Sequence, residues 1–595
     1  MNYPIWEVPS GGLLIAFVAI VHVLVSHFAV GGGLFLVLAE LKARREQDGA
    51  FLDYLKRHSR FFILLTLVFG AMTGVGIWFT IALVHPQATS SLINTFVWGW
   101  AMEWCFFVIE IAAAMVYYYG WDRMDARTHV RVGWIYFIAA WISLVIINGI
   151  LSYMLTPGSW VTNRFFWSGF FNPTYFPSMI MRTFVAMGLA GVYALLTASW
   201  SRDPDLKQKI ARYAGLYWIL PMAVAVPLML IWYLLAAAGA NVPVAEILQA
   251  DGEGLGAMIA AIFTAGGESG QPVAQRAAYY SVVASILVIL LTLAIVGFRR
   301  RSYGRVSTIS LLLLALVAMG GGEWMREDLR KPYVIGQFMF VNGVRLPAPE
   351  EVPTPPAEAA WQAKDRFSVD ALNANGVLRT ALWSPIDVGE AATGLDPAAR
   401  AEREAEMGAE MFKLSCSSCH SVDGYLAIRP LVENQSVAAL ERTLSNLARP
   451  VDSAGNPTSW SDPGLQLATW RGRRMPPFVG TDAERRALAV YLSRLGGTPD
   501  AGVEAAVPDA AEATVPPGLQ VYEDYCSICH QPGGDWPMEE MVKGRDAEAL
   551  YDLIGRLPEV NENMPPFEGT DEERRALAEY LAGLGGSPAQ REDQP

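Results

Sequence analysis

Four of the five cysteines stand in two Cys-x-x-Cys-His strings: Cys416, Cys419 and His420, then Cys526, Cys529 and His530. Two thiols at this spacing with an imidazole directly after them are the attachment signature of a c-type haem. The thiols form thioethers and the His takes an axial iron position. A zinc knuckle or a Cys-x-x-Cys redox pair has no need of a His in that place, and two copies predict two covalent haems c. Downstream of each string comes Met-Pro-Pro-Phe, at 475–478 and 564–567. A thioether sulfur is a soft donor and His/Met ligation raises the haem potential, so Met475 and Met564 are the expected second axial ligands. A Met before two prolines otherwise reads as a surface turn, but this one recurs at the same place in both copies. Met538 and Met541 are weaker competitors.

A second set of polar residues lies inside long apolar runs: His22 and His27 in the first, Glu103 and Glu110 in the third. An ionisable side chain in a membrane helix costs on the order of 2.5–3.5 kcal/mol on insertion scales, so each asks for a reason. Glu103 and Glu110 are two helical turns apart and face the same way, as carboxylates relaying protons towards a buried site would. The plainer alternative is a carboxylic acid hydrogen-bonded to a neighbouring helix. His27 lies about 140° around the helix from His22; it ligates a further haem or bonds to a neighbour.

The elements that must position these residues follow from the apolar runs. Eight windows long enough to cross a bilayer are expected at 11–39, 60–83, 95–119, 131–152, 179–200, 213–235, 279–298 and 306–323. The fold class is all-α: a polytopic helical membrane bundle of about eight transmembrane helices, followed by two small helical haem domains. The connections after the first, third, fifth and seventh spans carry the cations, among them Lys42, Arg44, Arg45, Arg123, Lys207 and Arg299. By the positive-inside rule they lie in the cytoplasm. The protein is then a multi-pass protein of the bacterial inner membrane with its C-terminal half in the periplasm, and Met1–Gly12 is not a cleavable leader. Residues 1–340 hold 23 Lys/Arg against 18 Asp/Glu, and residues 341–595 hold 22 against 40. The acidic second half suits a basic electron-transfer protein as partner, and no nucleic-acid partner is expected.

After Pro347 the chain becomes a Pro/Glu-rich tether. The expected domains are 1–335 in the membrane, a linker over 336–402, haem domains at 403–497 and 518–587 separated by a linker at 498–517, and a tail at 588–595. RRMPPFVGTDAERRALAVYLSRLGG (473–497) repeats as NENMPPFEGTDEERRALAEYLAGLGG (561–586), so the two haem domains are tandem copies. The helix opened by Thr481-Asp482, and again by Thr570-Asp571, has good capping residues, as in a class I cytochrome c.

The membrane half resembles subunit I of the cytochrome bd quinol oxidases over residues 10–335. The similar stretches are AIVHVLVSHFAVG around His22, AMTG in the second span, AMEWCFFVIE running on to GWDR (120–123), WISLVIING (141–149) and REDLRKPY (326–333). In the last, Glu327 and Arg330 stand at the Glu and Arg of the family's Glu-x-Gly-Arg-Gln-Pro-Trp segment. The resemblance implies that His22 and Glu327 are iron ligands of the high-spin haem pair where dioxygen is reduced, that Glu103 and Glu110 form its proton path, and that Arg330 belongs to the same site. It also implies one or more haems b and/or d, a second bd-like membrane subunit, and a quinone as a further partner.

Departures from the family set the functional expectation. The family's low-spin haem takes a His near the start of helix 5 and a Met in helix 7, but here these read SMIMRTFVAMG and QRAAYYSVVAS. His85 is one of few imidazoles left to rebuild that site, although a lone interfacial His is ordinarily solvated. The loop at 236–278 is short and has no lysine, which leaves the family's quinol-oxidising loop in doubt. The expected function is electron transfer from a periplasmic donor through two c haems to a membrane site reducing dioxygen or nitric oxide. The rivals are a quinol:cytochrome c oxidoreductase and a non-catalytic wiring subunit.

Overall fold

A computed structural model of the chain describes residues 3, 6, 8, 10–252, 254–264, 273–297, 303–346, 366–386, 396–451, 457–460, 469–470, 473–497, 517–526, 530, 538–560, 564, 566–567 and 569–584. Eight helices are long and apolar enough to cross a membrane. They are α1 (Gly11–Arg45), α2 (Gly49–Val84), α3 (Val97–Gly120), α4 (Ala126–Tyr153), α5 (Tyr175–Ala198), α6 (Pro204–Gly239), α7 (Val273–Gly297) and α8 (Arg305–Arg330). All eight expected spans are present and most are longer than the apolar windows. α1 runs on through Lys42, Arg44 and Arg45, cations that suit the negative end of the helix dipole.

Three of the four spanning helices that start at this basic end are capped by aspartates, and the fourth, α8, has Gly304 as its N-cap. Asp48 accepts from Phe51 N ahead of α2, Asp125 from Arg127 N and Thr128 N ahead of α4, and Asp203 from Asp205 N and Leu206 N ahead of α6. Each satisfies donors that the first turn would leave open. α1 packs against α2, α4 and α5, with Phe28, Phe35 and Tyr193 fully or nearly buried between them. Gly31 lets α1 meet α5, because a Cβ there would lie 1.9 Å from Ala186 O. Two spans contain π-helical stretches, Leu64–Gly70 in α2 and Gly215–Ile219 in α6. The second precedes Pro221, which has no N–H to give to an i−4 carbonyl.

The chain divides into two compact units, one over Gly11–Gly343 and one drawn mainly from the residues beyond Val344. The membrane unit ends in a short hairpin, Tyr333–Ile335 against Met339–Phe340. In the second unit the expected linker over 336–402 is only partly a linker. Short helices Val369–Asn375 and Val377–Thr380 are ordered by Glu484, whose carboxylate accepts from Val377 N at 3.1 Å and Leu378 N at 2.7 Å. The charge pattern gave no sign of this, because the tie comes from a residue more than 100 positions away.

Two three-helix groups follow. The first is α9 (Pro397–Ser415), α10 (Val437–Leu447) and α11 (Asp482–Leu495); the second is α12 (Pro517–Tyr525), α13 (Ala547–Ile554) and α14 (Asp571–Leu584). In each, the first and last helices cross at a glycine. A Cβ on Gly408 would lie 2.0 Å from Ala487 O, and one on Gly518 2.0 Å from Ala576 O. The last helices carry the expected caps as full capping boxes. Thr481 pairs reciprocally with Glu484, and Thr570 with Glu573.

Candidate functional site

The first Cys-x-x-Cys-His string forms one tight turn at the C-terminus of α9. Cys416 N donates to Phe412 O and His420 N to Cys416 O, at 2.8 and 2.9 Å. The same bonds recur in the second copy, Cys526 N to Tyr522 O at 2.9 Å and His530 N to Cys526 O at 3.0 Å; Cys529 lies outside the described residues. His420 Nδ1–H donates to Leu426 O at 3.0 Å. A carbonyl only accepts, so this bond fixes the tautomer in which Nε2 carries the lone pair an iron needs. Burial pushes the Cys416 thiol up to about 12. A redox Cys-x-x-Cys needs the opposite shift, towards thiolate. Met475 and Met564 are both partly buried and each lies just ahead of its capping box.

In the membrane unit, His22 faces α2. Its Nδ1 lies 3.0 Å from Thr73 Oγ1, whose single hydrogen has the carbonyls of Phe69 and Gly70 in reach at 3.0 and 3.1 Å. With that hydrogen on either carbonyl, Nδ1–H is the donor and Nε2 holds the lone pair. Gly74 keeps the space beside the ring open, since a Cβ there would stand 3.1 Å from His22 Cε1. That tautomer fits a haem ligand. His27, the other imidazole of α1, donates its Nδ1–H back to Val23 O at 2.8 Å.

Glu327 and Arg330 are one turn apart at the end of α8. Arg330 Nη2 reaches both Glu327 oxygens at 2.6 and 2.5 Å, and Arg330 Nη1 donates to Val334 O at 3.2 Å. The structure thus brings these two together, while His22 sits about a third of the way along α1. At the start of α5, where the family's low-spin ligand would be sought, Arg182 is buried and bonds Glu323 at 2.8 Å; Arg326 bonds the same carboxylate at 2.9 Å. His85 caps the end of α2, its Nδ1 buried without a hydrogen-bond partner.

Glu103 and Glu110 do share one face of α3, and both have partners on α4. Ser143 Oγ donates to Glu103 Oε1 at 2.9 Å and Tyr136 OH to Glu110 Oε1 at 3.1 Å. Sequence reasoning missed a third group at the basic end: Glu40, bonded by His129, Tyr117 and Arg44. It also missed Glu323 and Arg326. The available signals were spacing, because His129, Tyr136 and Ser143 recur every seven residues as Glu103, Glu110 and Tyr117 do.

Comparison with known proteins finds family matches in both halves of the chain. Residues 13–269 match the family model for cytochrome bd terminal oxidase subunit I. Residues 405–496 match cytochrome c, and residues 513–581 match cytochrome c oxidase, cbb3-type, subunit III. No curated protein is similar enough to match. The solved structure of the bd oxidase from Geobacillus thermodenitrificans is similar at 16% identity, over 60% of this chain and 92% of that one, with a TM-score of 0.45.

Proposed function

We propose that this chain, a cytochrome bd subunit I-like membrane domain fused to two cytochrome c domains, passes electrons inward from a periplasmic protein donor to a membrane site where dioxygen, or nitric oxide, is reduced. That it is a membrane-bound haem electron-transfer oxidoreductase follows from the family matches. The direction is the proposal. One replacement supports it most: at the start of α5, where a quinol-fed low-spin haem would need its His, the buried Arg182 is held in an ion cluster with Glu323 and Arg326.

Cys416, Cys419, His420 and Met475 would hold one haem c, and Cys526, Cys529, His530 and Met564 the other. His22 and Glu327 would ligate membrane haem iron, of b and/or d type. Bound there, these groups supply one-electron carriers and the iron that reduces the gas. The chain's own residues supply the rest. Thr73 orients His22, Arg330 holds the Glu327 carboxylate, and Glu110 and Glu103 hand on protons. Reducing one dioxygen to two waters takes four electrons and about four protons, so proton delivery must keep pace with electron entry.

The basic ends of the helices would face the cytoplasm, which puts the c domains on the periplasmic side of a bacterial inner membrane. A second bd-like subunit is the partner that the family match favours.

The test compares donors. Reduced soluble cytochrome c should sustain oxygen or nitric oxide consumption by the purified protein, and a quinol analogue should not. Glu110→Gln should slow turnover while c-haem reduction proceeds normally. Quinol reducing the c haems with no other donor present, and that reduction being blocked by Glu110→Gln, would reverse the direction and make the protein a quinol:cytochrome c oxidoreductase.

A further inference from the structure

Three polar rungs stand along the contact between α3 and α4. On α3 they are Glu103, Glu110 and Tyr117; on α4 they are Ser143, Tyr136 and His129. Seven residues make two turns and about 10 Å of rise, so each step returns to the same face. The first two rungs belong to the proton path already proposed. The third is closed by Glu40 of α1, and the side chains of Glu40 and His129 have no solvent exposure.

The bonds of this third rung fix its proton count. His129 Nε2 faces the Tyr117 carbonyl at 2.9 Å, and a carbonyl only accepts, so Nε2 carries a hydrogen. His129 Nδ1 faces both oxygens of Glu40 at 2.9 Å. A bare lone pair against a carboxylate would leave acceptors facing one another in a dry site. One proton therefore resides between them, on nitrogen or on oxygen. Tyr117 OH donates to Glu40 Oε2 at 2.8 Å and Arg44 to Oε1 at 2.7 Å.

Access is one-sided. Arg44 keeps 30% of its side chain exposed and is the cluster's edge towards water. The rings of Tyr117 and Trp121 cover the imidazole, with centroids 4.2 and 4.5 Å away. The charged and titratable groups that act on Glu40 and His129 are Arg44 from α1 and Tyr117 from α3.

The middle rung is built for the same traffic. Tyr136 has one phenolic hydrogen and two acceptors in reach, Ala29 O at 3.0 Å and Glu110 Oε1 at 3.1 Å. With that hydrogen on Ala29 O, Glu110 bonds Tyr136 only when it is protonated itself.

We infer that Glu40, His129 and Tyr117 form a proton-holding station at the cytoplasmic mouth of the Glu110–Glu103 path. This rests on the proton-path reading above. In each cycle the proton between His129 Nδ1 and Glu40 leaves for Glu110, and the O–H or N–H bond broken at the station is remade with a proton taken from cytoplasmic water past Arg44. No electron moves in this step.

The experiment uses the full haem-loaded chain in liposomes, with reduced cytochrome c as donor outside and the inner pH varied over about two units. With the station intact, turnover should be nearly flat across that range. In Glu40→Gln, protons must reach Glu110 straight from bulk water, so turnover should fall about a hundredfold at the alkaline end and recover about tenfold per unit of acidification. His129→Gln should behave likewise, and both should keep wild-type c-haem reduction. Glu40→Gln with wild-type haem content, turnover and inner-pH profile would make the cluster a structural clasp and overturn the inference. If that variant does not assemble, Glu40→Asp decides, because withdrawing the carboxylate by one methylene must tilt the profile and a flat one overturns the station. A Glu110→Gln protein that is itself unimpaired would sink the proton-path reading instead.

Discussion

Two imidazoles in unrelated parts of the chain are prepared in the same way. His22 Nδ1 bonds Thr73 Oγ1, and His420 gives its Nδ1–H to Leu426 O, the arrangement in which each would offer Nε2 to the proposed iron. Second-shell partners of this kind commonly change metal affinity by about 10–100-fold when removed. Thr73→Val keeps the side chain's shape but removes the acceptor. It should lower membrane-haem content or shift that haem's absorption, with both c haems unchanged; unaltered membrane-haem spectra would show that Thr73 does not orient His22. At this scale the Cys-x-x-Cys-His strings were legible in the sequence because their chemistry is written in adjacent residues. Glu40 and His129 were not, because an apolar window ended at 39 and another began at 131, each within two residues of the group. Only the packing of α1, α3 and α4 brings them together.

The two haem domains repeat their construction element by element. Gly408 lies eight residues before Cys416 and Gly518 eight before Cys526. Each sits where the first helix crosses the last, against Ala487 and Tyr491 in one copy and Ala576 and Tyr580 in the other. Any Cβ would press on a backbone carbonyl that cannot move without shifting a helix. Gly408→Val should therefore abolish covalent haem in the first copy and leave the second intact, halving the haem stain of a denaturing gel, as Ser at both Cys416 and Cys419 should. A full stain in the Gly408 variant would mean that the crossing can relax. The helices and their caps were readable from the repeat and from Thr-Asp at each start. The pairing of Glu484 with Val377 and Leu378 was not, since a capping-box glutamate gives no sign of whether its spare lone pairs hold a distant segment.

Across the whole molecule, basic and bare connections alternate, and the aspartate caps of α2, α4 and α6 stand at the basic ends. Topology is the property on which the direction of electron flow most depends. A periplasm-active reporter fused after Gly497 should be active and one fused near Asp48 inactive. The reverse result would place the c domains in the cytoplasm, where a periplasmic donor could not reach them. The eight spans and the order of domains could be read from hydropathy because burial in lipid imposes a long, simple pattern. The ion cluster of Arg182, Glu323 and Arg326 could not, because nothing in the individual sequences of α5 and α8 says that they meet.

The π stretch Leu64–Gly70 lies between the capped start of α2 and Thr73. Such a stretch holds about one residue more than an α-helix of equal rotation, as though a residue had been spliced in and absorbed on the spot. The chain thus carries a spare residue in that turn. Deleting Leu67 should let the helix close into a regular spiral with Thr73 still aimed at His22. Deleting Met72, outside the slack, should swing Thr73 about 100° away. Two deletions five positions apart should then have opposite fates, one keeping the membrane haem's spectrum and the other losing it.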